Sequence, residues 1–134
     1  MRIAVIVDKA LPNGLAANTA AVLGISLGAM YPEIVRESAY DAAGNEYSGI
    51  TSIVIPILSA KDHTIKDIVQ SIQQDGDVTL IPFTKVAQRS KDYDAYKAEL
   101  LKVSPDSIQY SGIALVGSNK KVSMYTGSLP LLKK

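Results

Sequence analysis

The chain has no cysteine, so neither a disulfide framework nor a thiolate metal site is available to it. Its one histidine, His63, cannot make up the deficit. Structural zinc sites take four nitrogen or sulfur ligands, and catalytic sites usually three protein ligands. No metal site is expected, and His63 reads as a surface residue near the start of a helix. Arginine is scarce as well, with Arg2, Arg36 and Arg89 the only three. Nucleic acid is therefore a poor candidate partner, although Tyr93, Tyr96, Tyr110 and Tyr125 offer rings for stacking, and core or interface packing accounts for those rings better. No Gly-x-Ser-x-Gly elbow exists to place a nucleophile beside His63. Gly112 and Gly117 lie five apart on a strand, which is neither a dinucleotide fingerprint nor a Walker loop, so no cofactor is indicated. Nothing approaches the roughly 20 apolar residues of a membrane span. Met1–Val7 is too short for a signal peptide. The simplest expectation is a soluble, cytoplasmic protein with no membrane partner.

What is present is a globular balance. The 134 residues are 47% hydrophobic and 20% charged, enough for one domain with its own core, taken as residues 1–134. The net charge of +1 is unevenly laid out. Up to Thr84 there are five basic and nine acidic side chains; from Lys85 onward there are nine basic and four acidic. Such a split can mark a face for an anionic ligand, or simply a helix and tail with solvated lysines.

Hydrophobic patterning divides the chain into alternating elements. Ile3–Val7 is apolar at every position, the mark of a strand covered on both faces. Pro12 and Asn13-Gly14 supply a turn, and from Leu15 to about Met30 a nearly uncharged helix is expected, capped by Asn13 and mostly buried. Ile34–Ala39 and Glu46–Ile50 flank Asp41–Asn45 as a β-hairpin. Thr51–Ala60 is a further β stretch, with Pro56 placing a bend or an edge in it. Ile65, Ile68, Val69 and Ile72 define one face of a helix capped at Asp62 or Thr64 and ending near Gly76. Val78–Phe83 and Ile108–Val116 read as strands. Between them an amphipathic helix is expected from Asp92 to about Val103, and Lys120–Tyr125 forms a short last helix. No repeat, linker or low-complexity segment interrupts this. Strands alternating with helices predict a three-layer α/β/α domain with a mixed sheet; a doubly wound flavodoxin-like topology competes, but the hairpin breaks its repeating pattern.

Two segments at opposite ends carry a recognisable pattern. One is Ile3–Val7 followed by Asp8-Lys9-Ala10-Leu11-Pro12-Asn13-Gly14-Leu15-Ala16-Ala17-Asn18. The other is Gly112-Ile113-Ala114-Leu115-Val116-Gly117 and, after a spacer, Thr126-Gly127-Ser128-Leu129-Pro130-Leu131-Leu132. Together they resemble the opening and closing elements of the peptidyl-tRNA hydrolase II fold. With the Asp41–Gly44 turn and the Asp92-Tyr93-x-x-Tyr96 helix, nearly the whole chain is similar to the family catalogued as domain of unknown function 2000, which is assigned to that fold. The resemblance implies a peptidyl-tRNA hydrolase II-like architecture but not the activity. The hydrolases carry a lysine after the glycine that enters the first helix and a glutamine three residues beyond; here those positions are Leu15 and Asn18. They also carry an Asp-x-Gly-x-Thr-Gln segment after the third strand; here the strand ends Ile81-Pro82-Phe83-Thr84 and a helical stretch follows instead. No acid–base pair is evident in the sequence, so no reaction is assigned.

The candidate ligand-binding residues are Asp8, Asn13, Gly14, Asn18, Thr84, Thr126 and Ser128. Asn13, Gly14 and Asn18 sit at a strand-to-helix turn, where free N–H groups and the helix dipole can hold an anion. The plainer account is a cap and an internal hydrogen bond. Asp8 and Thr84 end strands, where open α/β sheets place ligand-contacting groups; Asp8 is otherwise a solvated turn carboxylate. Thr126 and Ser128 add hydroxyls to a pocket or form a turn that ends the last helix. Three functions follow. The preferred one is binding of a small anionic or nucleotide-like ligand at a strand-end crevice. The others are a divergent hydrolase of an acylated or nucleotide-like substrate and a non-catalytic module that forms a homodimer.

Overall fold

A computed structural model describes residues 1–133 of the chain. It is an α/β structure with a mixed four-stranded sheet and five helices. The strands of the sheet are β1 (Arg2–Asp8), β4 (Ile57–Ala60), β5 (Thr79–Thr84) and β6 (Tyr110–Gly117), in the order β4-β1-β6-β5. β1 and β4 are parallel, while β6 runs antiparallel to both β1 and β5. Three strands therefore point one way and their carboxyl ends share one edge of the domain.

The expected double coverage of β1 holds, and pleat alternation explains it. Ile3, Val5 and Val7 face a core shared with Ala16, Leu23 and Leu27 of α1 (Asn13–Met30). Ala4 and Ile6 face the opposite core. There they meet Ile65, Ile68, Val69 and Ile72 of α2 (Asp62–Gln73) and Val122 of α5 (Asn119–Thr126). Burying an aliphatic side chain contributes about 1.5–3 kcal/mol, so β1 alone, buried from Ile3 to Val7, is a principal source of stability. Past α5 the tail adds itself to the free edge of β4: Ser59 N–H donates to the Pro130 carbonyl at 3.0 Å and Leu132 N–H to that of Ile57 at 2.8 Å. The Thr-Gly-x-Leu-Pro segment thus covers a sheet edge.

α1 crosses the sheet closely over β6. A Cβ built at Gly112 would lie 2.5 Å from the Thr19 methyl and 2.8 Å from the Ile6 carbonyl oxygen. On the other face, Asp75 accepts from Lys121 Nζ at 3.1 Å and from the Tyr125 hydroxyl at 2.8 Å, tying the end of α2 to α5. The Asp77 N–H, Tyr125 and Lys121 hold the Asp75 carboxyl below its usual range. In turn, the hydrogen bond to Asp75 raises the Tyr125 phenol above its ordinary value.

Several boundaries differ from the sequence expectation. The residue before α1 is Pro12, not Asn13; it is extended and makes no side-chain cap, and Asn13 is the first helical residue. The Pro12 ring presets φ for a helix start, and its carbonyl accepts from Ala16 N–H at 2.9 Å. Nor is α1 mostly buried: only Ala16, Thr19, Leu23 and Leu27 are. The sheet can cover one face of a helix, and the remaining small residues lie outward. The hairpin pairs β2 (Ala39–Tyr40) with β3 (Glu46–Tyr47), and its arms meet again at an isolated antiparallel bridge between Val35 and Thr51. Of Thr51–Ala60, only Ile57–Ala60 is strand, beginning directly after Pro56. The predicted helix from Asp92 is α4 (Tyr93–Leu100), capped by Asp92, whose carboxylate accepts from Ala95 N–H at 2.8 Å.

Candidate functional site

The carboxyl ends of β1 and β5 flank the start of β6, and the segments leaving them build a site. β1 ends in Asp8, whose side chain is only 2% exposed. β5 ends in Thr84, and the chain turns at once into α3 (Lys85–Arg89). Thr84 caps that helix, its hydroxyl accepting from Ala87 N–H at 3.1 Å. This cap brings Lys85 across the strand ends, where its Nζ donates to Asp8 Oδ2 at 2.6 Å. The other Asp8 oxygen accepts from Ala10 N–H at 3.0 Å. A buried carboxylate is tolerable only with such partners, and here it has a charged donor and a backbone donor. Asp8 is therefore not a solvated turn residue.

One helical turn further, Gln88 locks α3 to α1 and β6. Its amide nitrogen donates to the Leu15 carbonyl at 3.0 Å, to Thr19 Oγ1 at 3.0 Å and to Asn18 Oδ1 at 3.3 Å. Its amide oxygen accepts from the fully buried Ser111 hydroxyl at 2.7 Å. Three elements thus converge through one side chain. A shallow pocket of about 390 Å³ opens beside them, walled by Leu11, Leu15, Lys85, Gln88 and Arg89. Its size lies in the range of small-ligand sites. One wall is apolar and the other cationic. The first turn of α1 opens beside Leu15 without a side-chain cap, leaving backbone N–H groups for an acceptor.

The candidate residues divide accordingly. Asp8 is bonded to Lys85 and Asn18 to Gln88, two residues one turn apart on α3. Asn13 and Gly14 lie exposed at the helix entry beside it. Thr84 is buried and used as a cap. Thr126 donates its hydroxyl to the Val122 carbonyl within α5, and Ser128 is exposed beyond that helix. Among the described residues neither hydroxyl is hydrogen-bonded to Asp8 or Lys85.

Lys85, Gln88, Arg89 and Ser111 were not singled out from the sequence. The structure sets Lys85 against Asp8, which lie 77 positions apart, a juxtaposition that no local motif announces. One signal was available: the basic half of the chain begins at Lys85, directly after a strand end. Among the described residues no cluster of three or more metal-ligating acids or histidines occurs, and no helix is long and apolar enough to cross a membrane. A larger cavity of about 450 Å³ lies between α2 and the Pro105–Ser107 turn, lined by Lys66, Gln73, Asp106 and Tyr110 among others. Burial raises the Tyr110 phenol above its usual value.

Comparison with known proteins places this arrangement in context. No curated protein matches the chain. A solved structure described as a protein of unknown function from Agrobacterium tumefaciens superposes with a TM-score of 0.86 at 26% identity, covering 97% of this chain and 96% of that one. The family model described as "Protein of unknown function (DUF2000)" matches residues 1–133. The chain belongs to that family.

Proposed function

We propose that this protein binds a small anionic or nucleotide-like ligand in the crevice above β1 and β5, on a peptidyl-tRNA hydrolase II-like scaffold that lacks the hydrolase's lysine at the helix entry. The observation that carries the reading is the Asp8–Lys85 pair beside an open pocket. A carboxylate 2% exposed anchors a lysine that is still 28% exposed and lines the pocket wall. Lys85 is thereby held in one orientation, with donor capacity left toward the pocket, while Arg89 adds a second cation. Leu11 and Leu15 form an apolar shelf suited to a base or acyl group. The same pair favours a second reading, a divergent hydrolase, because a fixed carboxylate–ammonium couple can hold and move a proton.

Thermal-shift measurements with inorganic phosphate and with nucleoside mono-, di- and triphosphates test the binding reading. A ligand at 100 times its dissociation constant stabilises the folded state by about 2.7 kcal/mol, which is readily seen. Arg89→Ala and Asn18→Ala should each reduce the shift while the unliganded fold persists. Absence of any response in the wild type would refute the pocket. Product analysis of the stabilising ligand separates binding from turnover.

A further inference from the structure

Adjacent residues of β6 face opposite sides of the sheet. Ser111 reaches Gln88 and the crevice, whereas Tyr110 packs on the α2 side. There the cavity of about 450 Å³ lies between α2 and the chain leading into β6. Its walls follow from local sequence. On α2, Ile65, Ile68, Val69 and Ile72 take the core. Lys66, Gln70 and Gln73 form the next stripe round the helix and line the cavity with long polar side chains. Opposite them Pro105 starts a tight turn, closed by Ser107 N–H on the Ser104 carbonyl at 2.9 Å, which sets Asp106 in the other wall. The Gln109 carbonyl then accepts from Lys85 N–H at 2.9 Å, so this wall is tied to the sheet. Val69, Pro105 and Ile108 add apolar surface.

The charged groups of this lining are Lys66 and Asp106, one of each sign on opposing walls, and they do not neutralise each other. Lys66 Nζ comes no nearer to a carboxylate than 4.0 Å, to Asp62 one turn back, which is beyond hydrogen-bond reach. Asp106 has no cationic partner among the described residues. Tyr110 contributes a half-buried phenol raised by burial alone, with no hydrogen bond or charge of the chain acting on it. Tyrosine hydroxyls in such positions ordinarily find a partner. This one keeps its proton at neutral pH and is free to donate. A lone anion in the cavity would meet Asp106, and a lone cation would meet Lys66. An uncharged polyol would leave both without a counter-charge. A zwitterion satisfies the two at once.

We infer that this cavity is a second binding site, distinct from the strand-end crevice, for an amino-acid zwitterion whose carboxylate meets Lys66 and whose ammonium meets Asp106. The Tyr110 hydroxyl and the carboxamides of Gln70 and Gln73 supply further hydrogen bonds, and Val69 and Ile108 receive the apolar part of the ligand. A free amino acid and a dipeptide share this chemistry and differ in the separation of their charges.

The test is calorimetric and NMR titration of the full chain with the free amino acids and a set of dipeptides. Each is paired with its N-acetyl form, which keeps only the carboxylate, and its amide, which keeps only the ammonium. At least one zwitterion should bind and shift the Tyr110 ring signals, with both of its singly charged forms weaker by roughly ten-fold or more, the scale of one charge-assisted hydrogen bond. Lys66→Gln should lower the affinity of the zwitterion to that of its amide, and Asp106→Asn to that of its N-acetyl form. Neither residue is buried, so both variants should fold. Their response to phosphate and nucleotides at Lys85 should be unchanged, so the two sites stand or fall separately. No binding by any zwitterion at millimolar concentration, equal binding of the singly charged forms, or an affinity indifferent to both substitutions would each overturn the proposal.

Discussion

Removing either partner of the Asp8–Lys85 bond should cost stability unequally, and the inequality tests whether Asp8 is truly buried. In Lys85→Met the carboxylate stays in place with only the Ala10 N–H to satisfy it, while the strand end that bears it cannot turn outward. Stripping the partner from a buried charge costs about 3–5 kcal/mol. Lys85 is 28% exposed, so water reaches the pair from one side, and the lower end, about 3 kcal/mol, is the expectation. In Asp8→Asn the acceptor for Ala10 is retained, and the lysine can swing its ammonium into solvent. That loss should be about 1 kcal/mol, the scale of one hydrogen bond. The double variant should cost less than the sum of the two, since the orphaned charge is gone, with a coupling of roughly 1–3 kcal/mol. Urea denaturation of the four proteins gives the cycle, and the Lys85→Met melting point should fall by on the order of 10 °C. Equal losses, or additive ones, would refute the burial argument and with it the fixed orientation of Lys85.

Two further predictions concern other parts of the fold. Asp41 is held down from the usual 3.8 to about 2, chiefly by the Asn45 side chain, then by Asn45 N–H and the Tyr47 hydroxyl. Because its folded value is the lower one, its contribution to the hairpin is complete above pH 3.8 and is lost as pH falls toward about 2. Carbon-detected NMR titration reads this directly, and a wild-type midpoint near 3.8 would show that the turn network is absent in solution. Gly112→Ala should destabilise by about 1–3 kcal/mol, because the added methyl overlaps Thr19 and the Ile6 carbonyl. Since Thr19 also accepts from Gln88, this variant should lower ligand-induced stabilisation as well; unchanged stability would mean that α1 sits farther from β6.

Much of the architecture was legible in short-range pattern. The continuous apolar run of β1 declares coverage on both faces, and α2 declares its face through Ile65, Ile68, Val69 and Ile72. Asp41-Ala42-Ala43-Gly44-Asn45 marks the hairpin turn because its chemistry closes within five residues. Other features depend on what lies opposite in space. The small, uncharged residues of α1 read as buried, but a sheet on one side covers only one of its faces. Thr84 looked like a ligand group, yet its hydroxyl is used by the helix that follows it.

The sequence by itself determined the order and type of the main elements, the absence of a cysteine-based metal or disulfide chemistry, and the lack of a cation at the entry to α1. Each of these is decided by residue identity or by periodicity over a few turns. Only the tertiary structure decided that Lys85 pairs with Asp8, that Gln88 joins α1, α3 and β6, and that Asp8 is buried at all. The antiparallel insertion of β6 between β1 and β5 sets Asp8 beside a lysine 77 positions away. Pairing across that distance follows from strand order, which leaves no periodic trace in the chain.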